Sequence, residues 1–455
     1  MVSGGGVLKL NYHEAVEYLQ NLTRFGFNFG LGRVTELLRR VGNPHLPLQV
    51  IHIGGTNGKG STLAMVAAIL KAAGYRAGTF ISPHLHSYTE RYCINGVEIS
   101  FERVAQLITS LRTHLDAMVS EGFEHPTEFE VSTALAFQYF LEEKVDFLVL
   151  EVGLGGAIDS TNVVNPLVSV ITNVSMDHMD YLGSTVKDIA TVKAGIIKNG
   201  VPVVTAAGDG EALEVIYKTC QHKDSPLVRV ENGHLGKQSS PLYRQVFWEA
   251  GGEDFSVAGQ RFSVKGLRED YTDLFLPLLG RHQLANASVA VATVDVLSEQ
   301  GYAISKNAVC RGLAGTSWPA RLEILGRRPL AVIDGAHNYD GAKSLRRALD
   351  DYFPEKEVVL VLGMLGDKQC AGVVAELAPR ARAVVVTRPN SPRSGDWQRL
   401  AGEARRYVQE VYAVKCIKDA VLQGMEVAAV NDVVCITGSL YMVAEAREFL
   451  LGRRW

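Results

Sequence analysis

The chain has 455 residues, which is too long for one ordinary hydrophobic core and therefore predicts two or three domains. Its 46 basic residues nearly balance 49 acidic ones, and the formal net charge of −3 indicates neither nucleic acid nor an anionic membrane as a partner. No apolar run reaches the roughly 18 residues that a transmembrane helix needs. The six cysteines are scattered without a CxxC pair, which is typical of reduced thiols, so we expect a cytoplasmic protein.

Short apolar runs rich in valine and isoleucine alternate with segments of helical period along most of the chain. Strands are predicted at residues 49–54, 76–81, 146–151, 167–172, 330–334, 358–363, 383–387 and 432–437. Helices are predicted at residues 59–73, 129–143, 282–300, 341–351 and 438–450. Because the strands are apolar throughout and helices separate them, the pattern predicts an α/β fold with parallel sheets covered on both faces.

Two segments interrupt this alternation. Residues 229–265 are rich in turns and lack helix signals, which predicts a small antiparallel section. Gly315, Ser317 and Pro319 break the pattern before a fresh strand–helix alternation begins, so we expect a domain boundary near residues 316–319.

A glycine-rich segment, GGTNGKGS at residues 54–61, follows the first predicted strand and leads into a predicted helix. Backbone N–H groups and the positive end of a helix dipole at such a turn surround phosphate. Lys59 would neutralise the β- and γ-phosphates of a nucleotide, and Ser61 would approach a metal ion. The usual phosphate loop has Ser or Thr directly after the Lys, whereas Gly60 intervenes here. A plain glycine turn between strand and helix is the alternative.

Three further polar side chains stand where predicted strands end. Ser82 follows the strand at 76–81, Glu151 ends the strand at 146–151, and His178 follows the segment 167–172. The carboxyl ends of parallel strands meet at one edge of a sheet, where α/β proteins bind ligands. Hydroxyl, carboxylate and imidazole groups bind Mg²⁺ when water and phosphates complete its coordination. Each residue alone would be read as a cap or a surface group, but together with the phosphate loop they predict a magnesium site.

Eight motifs follow one another across nearly the whole chain. They are GTNGKGS (55–61), SPHL (82–85), EVGLGG (151–156), DHMDYLG (177–183), KAGIIK (193–198), WPARLE (318–323), DGAHN (334–338) and TGSLY (437–441). In order and spacing they resemble the folate branch of the Mur ligase superfamily, and GKGS favours this branch over the peptidoglycan ligases. The resemblance implies an N-terminal P-loop ATPase domain at residues 1–317, a smaller Rossmann-like domain at 318–455, and catalysis in the cleft between them.

The reaction that this resemblance implies is an ATP- and Mg²⁺-dependent ligation. L-Glutamate would be joined to dihydropteroate or to a reduced folate through an acyl-phosphate. Two Mg²⁺ ions are expected, with K⁺ as a further cation and a carbamate formed from CO₂ on Lys193. The partners would be these small molecules only, without nucleic acid or membrane, and the chain would act as a monomer.

The resemblance also assigns roles to individual residues. ATP would be bound by Asn57, Gly58, Lys59, Gly60, Ser61, Asn286, Arg321 and Asp334. The metal ligands would be Ser82, Glu151 and His178. Catalysis would use Lys59, the carbamylated Lys193, and His337. Taken alone, Lys193 is an ordinary surface lysine of a helical segment, and only the KAGIIK motif gives it this role.

Substrate contacts are implied in the same way. The pterin or folate ring would be bound by Asn28, Phe29, Gly30, Thr127, Glu128, Phe129, Glu130, Ile158, Asp159 and Ser160, with Phe129 stacking on the ring. Glutamate would be bound at Ser439, which opens a predicted helix after a strand and is therefore well placed for a carboxylate.

Four positions depart from the residues that the family usually has. Ala157 stands for arginine, Val192 for glutamate, Ala320 for glycine and Tyr339 for proline. Ala157 is next to the expected pterin site, so it bears on substrate preference and not on reaction type. The alternatives are a monofunctional folylpolyglutamate synthase, a peptidoglycan-precursor ligase, a nucleotide switch or simple ATPase, and a noncatalytic ATP-binding module.

Overall fold

Fully buried strands form the centres of two sheets. The computed structural model describes residues 9–452 except 23–29, 209, 234–239, 253–254, 327, 367 and 369. The strands are β1 (Val50–Gly54), β2 (Ala77–Phe80), β3 (Tyr92–Ile94), β4 (Val97–Glu98), β5 (Phe147–Glu151), β6 (Val168–Ile171), β7 (Val203–Thr205), β8 (Leu227–Asn232), β9 (Tyr243–Ala250), β10 (Gln260–Lys265), β11 (Asp270–Leu276), β12 (Glu323–Ile324), β13 (Leu330–Ile333), β14 (Val358–Leu362), β15 (Ala381–Val386), β16 (Glu410–Ala413) and β17 (Val433–Thr437).

Helices connect most of these strands. They are α1 (Tyr12–Asn21), α2 (Gly32–Arg40), α3 (Lys59–Ala72), α4 (Phe101–Ser120), α5 (Glu128–Glu142), α6 (Met179–Leu182), α7 (Val186–Ala194), α8 (Glu211–His222), α9 (Arg281–Glu299), α10 (Lys306–Ala314), α11 (Tyr339–Tyr352), α12 (Cys370–Leu377), α13 (Arg399–Ala404), α14 (Ile417–Val427) and α15 (Leu440–Leu451). Within the described ranges, no helix is both long enough and apolar enough to cross a membrane.

The first sheet has the strand order β11-β10-β9-β8-β7-β6-β1-β5-β2-β3-β4, and the second has β12-β13-β17-β14-β15-β16. In the first sheet, β1 pairs in parallel with both β5 and β6, although neither is its neighbour in the chain. The strand order therefore reverses at β1, and such a point opens a crevice at the carboxyl ends of the strands. The predicted α/β fold with parallel sheets is confirmed.

The antiparallel section differs in extent from the prediction. It comprises β9, β10 and β11 and so continues to Leu276, beyond the predicted end at residue 265. Strand β8, which lies inside the predicted range, pairs with β9 in parallel. The alternating burial of β10 and β11 shows why: only one face of this edge of the sheet is covered, which antiparallel strands tolerate.

Helices cover both faces of the parallel part of the first sheet and both faces of the second sheet. In the first sheet, α3, α9 and α10 pack on one face, and α1, α2, α4 and α5 pack on the other. In the second sheet, α11, α12 and α13 cover one face while α14 and α15 cover the other. Each large side chain buried in these layers contributes roughly 1.5–3 kcal/mol to the stability of the fold.

Polar and apolar side chains both make contacts between the layers of the two sheets. The first sheet and its helices end with α10, and the second sheet begins with β12, so the predicted boundary at 317/318 falls in the connecting segment. Arg281 at the start of α9 forms an ion pair with Asp351 of α11, with Nε 2.9 Å from Oδ2. The Gly280 N–H donates to the Tyr352 hydroxyl at 3.2 Å. These contacts join the start of α9 to the end of α11.

Candidate active site

Three central strands of the first sheet end side by side. Ile53 of β1 is in register with Glu151 of β5, and Gly54 is in register with Ile171 of β6. The phosphate loop, the Glu151 carboxylate and the segment that carries His178 consequently start from neighbouring points of one edge. A cavity of about 310 Å³ lies over this edge, and its lining includes Ser82, Glu151 and His178 together with residues 55–61.

Side chains pack closely around the phosphate loop. Gly58 precedes α3 with φ of +82°, and a Cβ there would lie 2.4 Å from Asn286 Oδ1. The Lys59 ammonium lies over the loop and donates to the Gly55 and Thr56 carbonyl oxygens at 3.2 and 3.1 Å. Ser61 Oγ is buried and has no hydrogen-bond partner among the described residues. An orphaned hydroxyl at this position fits a phosphate or a metal ion.

Gly60 departs from the usual phosphate loop. A contact with the segment between the sheets explains why this residue is a glycine. A Cβ at Gly60 would lie 2.8 Å from Cζ2 of Trp318, whose indole packs on the first turn of α3. A side chain at this position is therefore excluded by the indole and not by the phosphate site. Trp318 precedes Arg321 by three residues, so the same segment contacts the phosphate loop and lines the cavity beside it.

The predicted metal ligands lie together. Glu151 is 6% exposed, and the Ser82 N–H donates to its Oε2 at 3.3 Å. Burial raises the pKa of Glu151, while the Lys59 charge and the Ser82 N–H oppose the rise. Burial also lowers the pKa of His178 to about 4, so its imidazole is neutral and able to bind a metal ion.

A metal ion would need more than these protein ligands. In the part of the chain that the structure describes, no group of three or more His, Cys, Asp or Glu side chains could hold a metal by itself. A hydroxyl, one carboxylate and one imidazole fit Mg²⁺ only if phosphate oxygens and water supply the other ligands. The donor set therefore fits a Mg²⁺–nucleotide complex and not a resident structural metal.

Lys193 is buried beside the phosphate loop. Its ammonium nitrogen donates to the Gly55 carbonyl oxygen at 2.9 Å, and the same oxygen accepts from Lys59. Burial, followed by the nearby Lys59 charge, lowers the pKa of Lys193 to about 7. Lys193 is consequently not the surface lysine that its helical segment suggests, because α7 turns it inward.

A buried cluster across the cleft has Asp177 at its centre, and the sequence analysis did not single it out. Lys368 Nζ lies 2.7 Å from Asp177 Oδ1, Asn338 Nδ2 donates to Oδ2 at 2.9 Å, and His337 Nε2 lies 3.5 Å from Oδ2. Burial alone would raise the pKa of Asp177, but His337 and Lys368 lower it well below its usual range. All three donors come from the second half of the chain. The DHMDYLG and DGAHN motifs contain three of the four participants, Asp177, His337 and Asn338, but only the fold brings them together.

The other residues predicted for ATP line the same cavity. Asn286, Arg321 and Asp334 border it, and so does His337, which was predicted for catalysis. Both carboxylate oxygens of Asp334 accept from backbone, from Leu322 N and Ala336 N at 2.8 Å each, so this side chain shapes the turn after β13. The structure thus places Asp334 at the cavity as a support of its wall.

A second cavity of about 600 Å³ adjoins the first and is mostly apolar in its lining. Of the residues predicted for the pterin ring, six border it: Thr127, Glu128, Phe129, Ile158, Asp159 and Ser160. Ser439 borders it as well, and its buried Oγ has no partner within the described ranges. Asn28 and Phe29 lie outside the described residues.

Gly30 and Glu130 do not border this cavity, contrary to the prediction. Glu130 forms a capping box with Thr127 at the start of α5, where its Oε2 accepts from the Thr127 N–H at 2.7 Å. The same oxygen accepts from Arg33 Nε at 3.1 Å. The Glu130 side chain is therefore used to begin the helix and faces α2. Gly30 lies just before α2 and has no side chain with which to reach the cavity.

Polar residues that the sequence analysis missed complete the second cavity. Arg91 Nη1 forms an ion pair with Glu128 Oε1 at 2.8 Å, and its Nε donates to His84 Nδ1 at 3.1 Å. Arg91, Glu128 and His84 all border the cavity. The two cavities share part of their lining, including Ser82, Gly153, Leu154, His178 and His337. Two of the candidate metal ligands, Ser82 and His178, thus lie where the cavities adjoin, and Glu151 lines the first cavity beside them.

Comparison with known proteins agrees with this architecture. Residues 53–294 match the Mur ligase middle domain, and residues 320–440 match the Mur ligase glutamate ligase domain. A dihydrofolate synthase/folylpolyglutamate synthase of Bacillus subtilis is 36% identical over 96% of this chain and 99% of its own length.

Solved structures show the same similarity. Mycobacterium tuberculosis folylpolyglutamate synthase complexed with ADP has a TM-score of 0.87 at 33% identity, covering 98% of this chain and 100% of that one. Escherichia coli FolC in complex with DHPP and ADP has a TM-score of 0.84 at 28% identity over the same shares. A phosphate-loop sheet facing a second α/β sheet is the Mur ligase architecture. Within that class, the chain belongs to the dihydrofolate synthase/folylpolyglutamate synthase family.

The contact between Gly60 and Trp318 generates a first prediction. Gly60→Ala should force the indole away from the loop, costing about 1–3 kcal/mol of stability and weakening ADP binding roughly tenfold. Calorimetric titration with ADP and thermal unfolding measure the two effects. Gly402→Ala is the matched control, because an added Cβ there meets nothing within 4 Å. Unchanged ADP affinity in Gly60→Ala would show that the loop tolerates a side chain here.

The lowered pKa of Lys193 generates a second prediction, on stability against pH. Between pH 7 and its ordinary pKa of 10.5, the unfolded chain holds a proton that the folded chain has lost. Stability should therefore rise with pH in this window, by on the order of 2 kcal/mol between pH 7 and 9 relative to Lys193→Met. Urea unfolding of both chains in CO₂-free buffer measures the difference. If the difference in unfolding free energy between the parent chain and Lys193→Met does not change with pH in this window, the lowering of the Lys193 pKa by burial is contradicted.

Proposed function

We propose that the chain is an ATP- and Mg²⁺-dependent acid–amino-acid ligase that adds L-glutamate to dihydropteroate and to reduced folates. The observation that carries the proposal is the junction of the two cavities. A cavity over the phosphate loop and a larger cavity beside Phe129 share Ser82 and His178, and Glu151 lines the first of the two. A carboxylate that extends from a ring in the second cavity would reach the terminal phosphate in the first.

The chain's own residues support formation of an acyl-phosphate at this junction. Lys59 and the N–H groups at the start of α3 would hold the phosphates and stabilise charge during transfer. Mg²⁺, bound by Ser82, Glu151 and His178 together with phosphate oxygens, would neutralise the transferring group. An oxygen of the acceptor carboxylate would bond to the γ-phosphorus as the bond to ADP breaks.

The second half of the chain would deliver the amine. Ser439, at the start of α15, has an orphaned buried hydroxyl beside the junction and would bind a carboxylate of glutamate. His337 and Lys368 border the same space. The glutamate amine would attack the acyl carbon, forming the amide and releasing phosphate. Closure through the Asp177 cluster would keep water from hydrolysing the acyl-phosphate first.

Lys193 would act as a carbamate. Its lowered pKa leaves a large neutral fraction near pH 7, and a neutral amine is the form that attacks CO₂. Formation of the new N–C bond would release one proton and turn the neutral amine into a carbamate anion beside Gly55, so that two protons are lost in all from the ammonium form. This removes the repulsion between Lys193 and Lys59 and would help to hold a second Mg²⁺ ion.

A monofunctional folylpolyglutamate synthase is the second candidate function. Ala157 favours it, because the family usually has arginine at this position beside the ring cavity. The presence of Thr127, Phe129 and Ile158 on the cavity wall favours dihydropteroate as well, since Phe129 packs on Gly153, which also lines the cavity over the phosphate loop. We therefore propose that the enzyme accepts both dihydropteroate and reduced folates.

The proposal predicts ADP release that depends on both glutamate and an acceptor acid. Release should be observed with dihydropteroate and, separately, with a tetrahydrofolate monoglutamate, measured by a coupled assay for ADP. Activity with only the folate would identify the monofunctional enzyme. ADP release that ignores the acceptor would identify an ATPase and refute the proposal.

Glu151→Gln is the matched catalytic control for this assay, because it keeps the side-chain volume and removes the charge. It should lower turnover by at least about a hundredfold while the thermal unfolding temperature stays close to that of the parent chain. Exposed Glu249→Gln, far from both cavities, serves as the reference substitution.

The carbamate makes a separate prediction. Turnover should fall in buffer freed of CO₂ and return when bicarbonate is added, while Lys193→Ala should be inactive under both conditions. The coupled assay for ADP measures turnover. Lys187→Ala is the control, and its turnover should respond to CO₂ as that of the parent chain does. Full activity of Lys193→Ala at ambient CO₂ would refute the carbamate.

A further inference from the structure

His52 is a buried imidazole that the proposed reaction does not use. It lies on β1, two residues before Gly54, and is completely buried. Its Nε2 is 2.8 Å from Thr161 Oγ1, while its buried Nδ1 has no partner among the described residues. Burial lowers the pKa of His52 to about 3, so the ring is neutral near pH 7 and carries a single N–H.

The directions of the hydrogen bonds around Thr161 fix the tautomer of this ring. The Thr161 hydroxyl donates to Asp159 Oδ1 at 2.5 Å. A hydroxyl has one hydrogen, so Thr161 Oγ1 must accept from the His52 Nε2–H. The ring's one proton is then on Nε2, and the partnerless Nδ1 is a bare acceptor.

The hydrogen-bond chain ends on backbone at the cavity wall. Asp159 Oδ2 accepts from the Leu154 N–H at 2.7 Å, and Oδ1 accepts from the Thr161 N–H at 3.0 Å. Burial raises the pKa of Asp159, and these bonds together with one from the Gly153 N–H oppose the rise. Both Asp159 carboxylate oxygens thus accept hydrogen bonds from the protein. Neither oxygen is without a partner for the contact with the ring that the sequence predicts.

The segment that this chain of bonds holds is the wall between the two cavities. Gly153 and Leu154 border both of them. The ring of Phe129 lies so close to Gly153 that an added Cβ would be 2.5 Å from Phe129 Cζ. The position of residues 153–154 therefore determines how far the stacking surface of Phe129 lies from the phosphate loop.

We propose that His52, acting through Thr161 and Asp159, is a positioning residue that sets the affinity for the acceptor acid and not for the nucleotide. The inference rests on the proposed function in one respect: the acceptor's ring occupies the cavity beside Phe129. The donor from His52 aligns the Thr161 hydroxyl toward Asp159, and Asp159 in turn holds the wall against Phe129.

Thr161→Val tests this inference, because it removes the hydroxyl and keeps the shape of the side chain. The KM for dihydropteroate should rise about tenfold, whereas the KM for ATP and the Kd for ADP should stay within about twofold. Thr161→Ser should restore the parent values. His52→Gln, whose amide can donate from a similar position, should stay near the parent, and His52→Leu should not. Thr293→Val is the matched control, since it removes another buried hydroxyl, one that donates to Val289 O in α9.

A readout that needs no acceptor separates this inference from the proposed function. Hydrogen exchange of the amides in residues 152–160 should be faster in Thr161→Val than in Thr161→Ser or Thr293→Val. If the parent chain shows no acceptor-dependent ADP release, the proposed function fails while exchange still tests the positioning of the wall. Unchanged exchange, equal losses of acceptor and ADP affinity, or no restoration by Thr161→Ser would each overturn the inference.

Discussion

Glu151 is a carboxylate held almost out of water at the point where the central strands of the first sheet end. Among the described residues, no lysine or arginine forms an ion pair with it, and its nearest polar support is the Ser82 N–H. Burying a charge in this way is costly unless a counter-charge arrives. The same desolvation keeps His178 neutral and lowers the pKa of Lys193, so three site residues share one physical cause. A Mg²⁺–nucleotide complex would supply the missing positive charge at Glu151.

The two halves of the chain have different parts in the site. The first sheet supplies the phosphate loop and the candidate metal ligands from strand ends, whose positions are set by the strand register. The second half supplies side chains that reach across, namely His337, Asn338 and Lys368 around Asp177. A site divided in this way is complete only when the halves are closed. That property suits a reaction whose intermediate must be kept from water.

Much of this arrangement can be predicted from local sequence patterns. The strand at 49–54 and the helix from Lys59 are found as β1 and α3, because an apolar run followed by a glycine turn leaves few alternatives. The groups at Ser82, Glu151 and His178 come together because parallel strands end at one edge. Such rules use only neighbours in the sequence and the general properties of parallel sheets.

What could not be predicted depends on contacts between distant segments. The indole of Trp318 explains Gly60, and Lys368 faces Asp177, but neither pair shares a local pattern. Glu130 is a different case, since Thr127 and Glu130 have the spacing of a capping box in the sequence itself. That signal explains why Glu130 caps α5 and does not line the ring cavity. The sequence analysis interpreted Glu130 as a ring-binding residue, whereas its spacing from Thr127 indicates a helix cap.

The burial of the Asp177–Lys368 pair has a consequence for how opening of the cleft responds to salt. Both side chains are only 8% exposed, so mobile ions cannot approach them closely and screen their attraction weakly. Ion pairs on the outer surface, such as Arg261–Asp273, are screened much more. Ionic strength should therefore change the attraction between the free enzyme and its anionic substrates far more than the closure of the cleft around them.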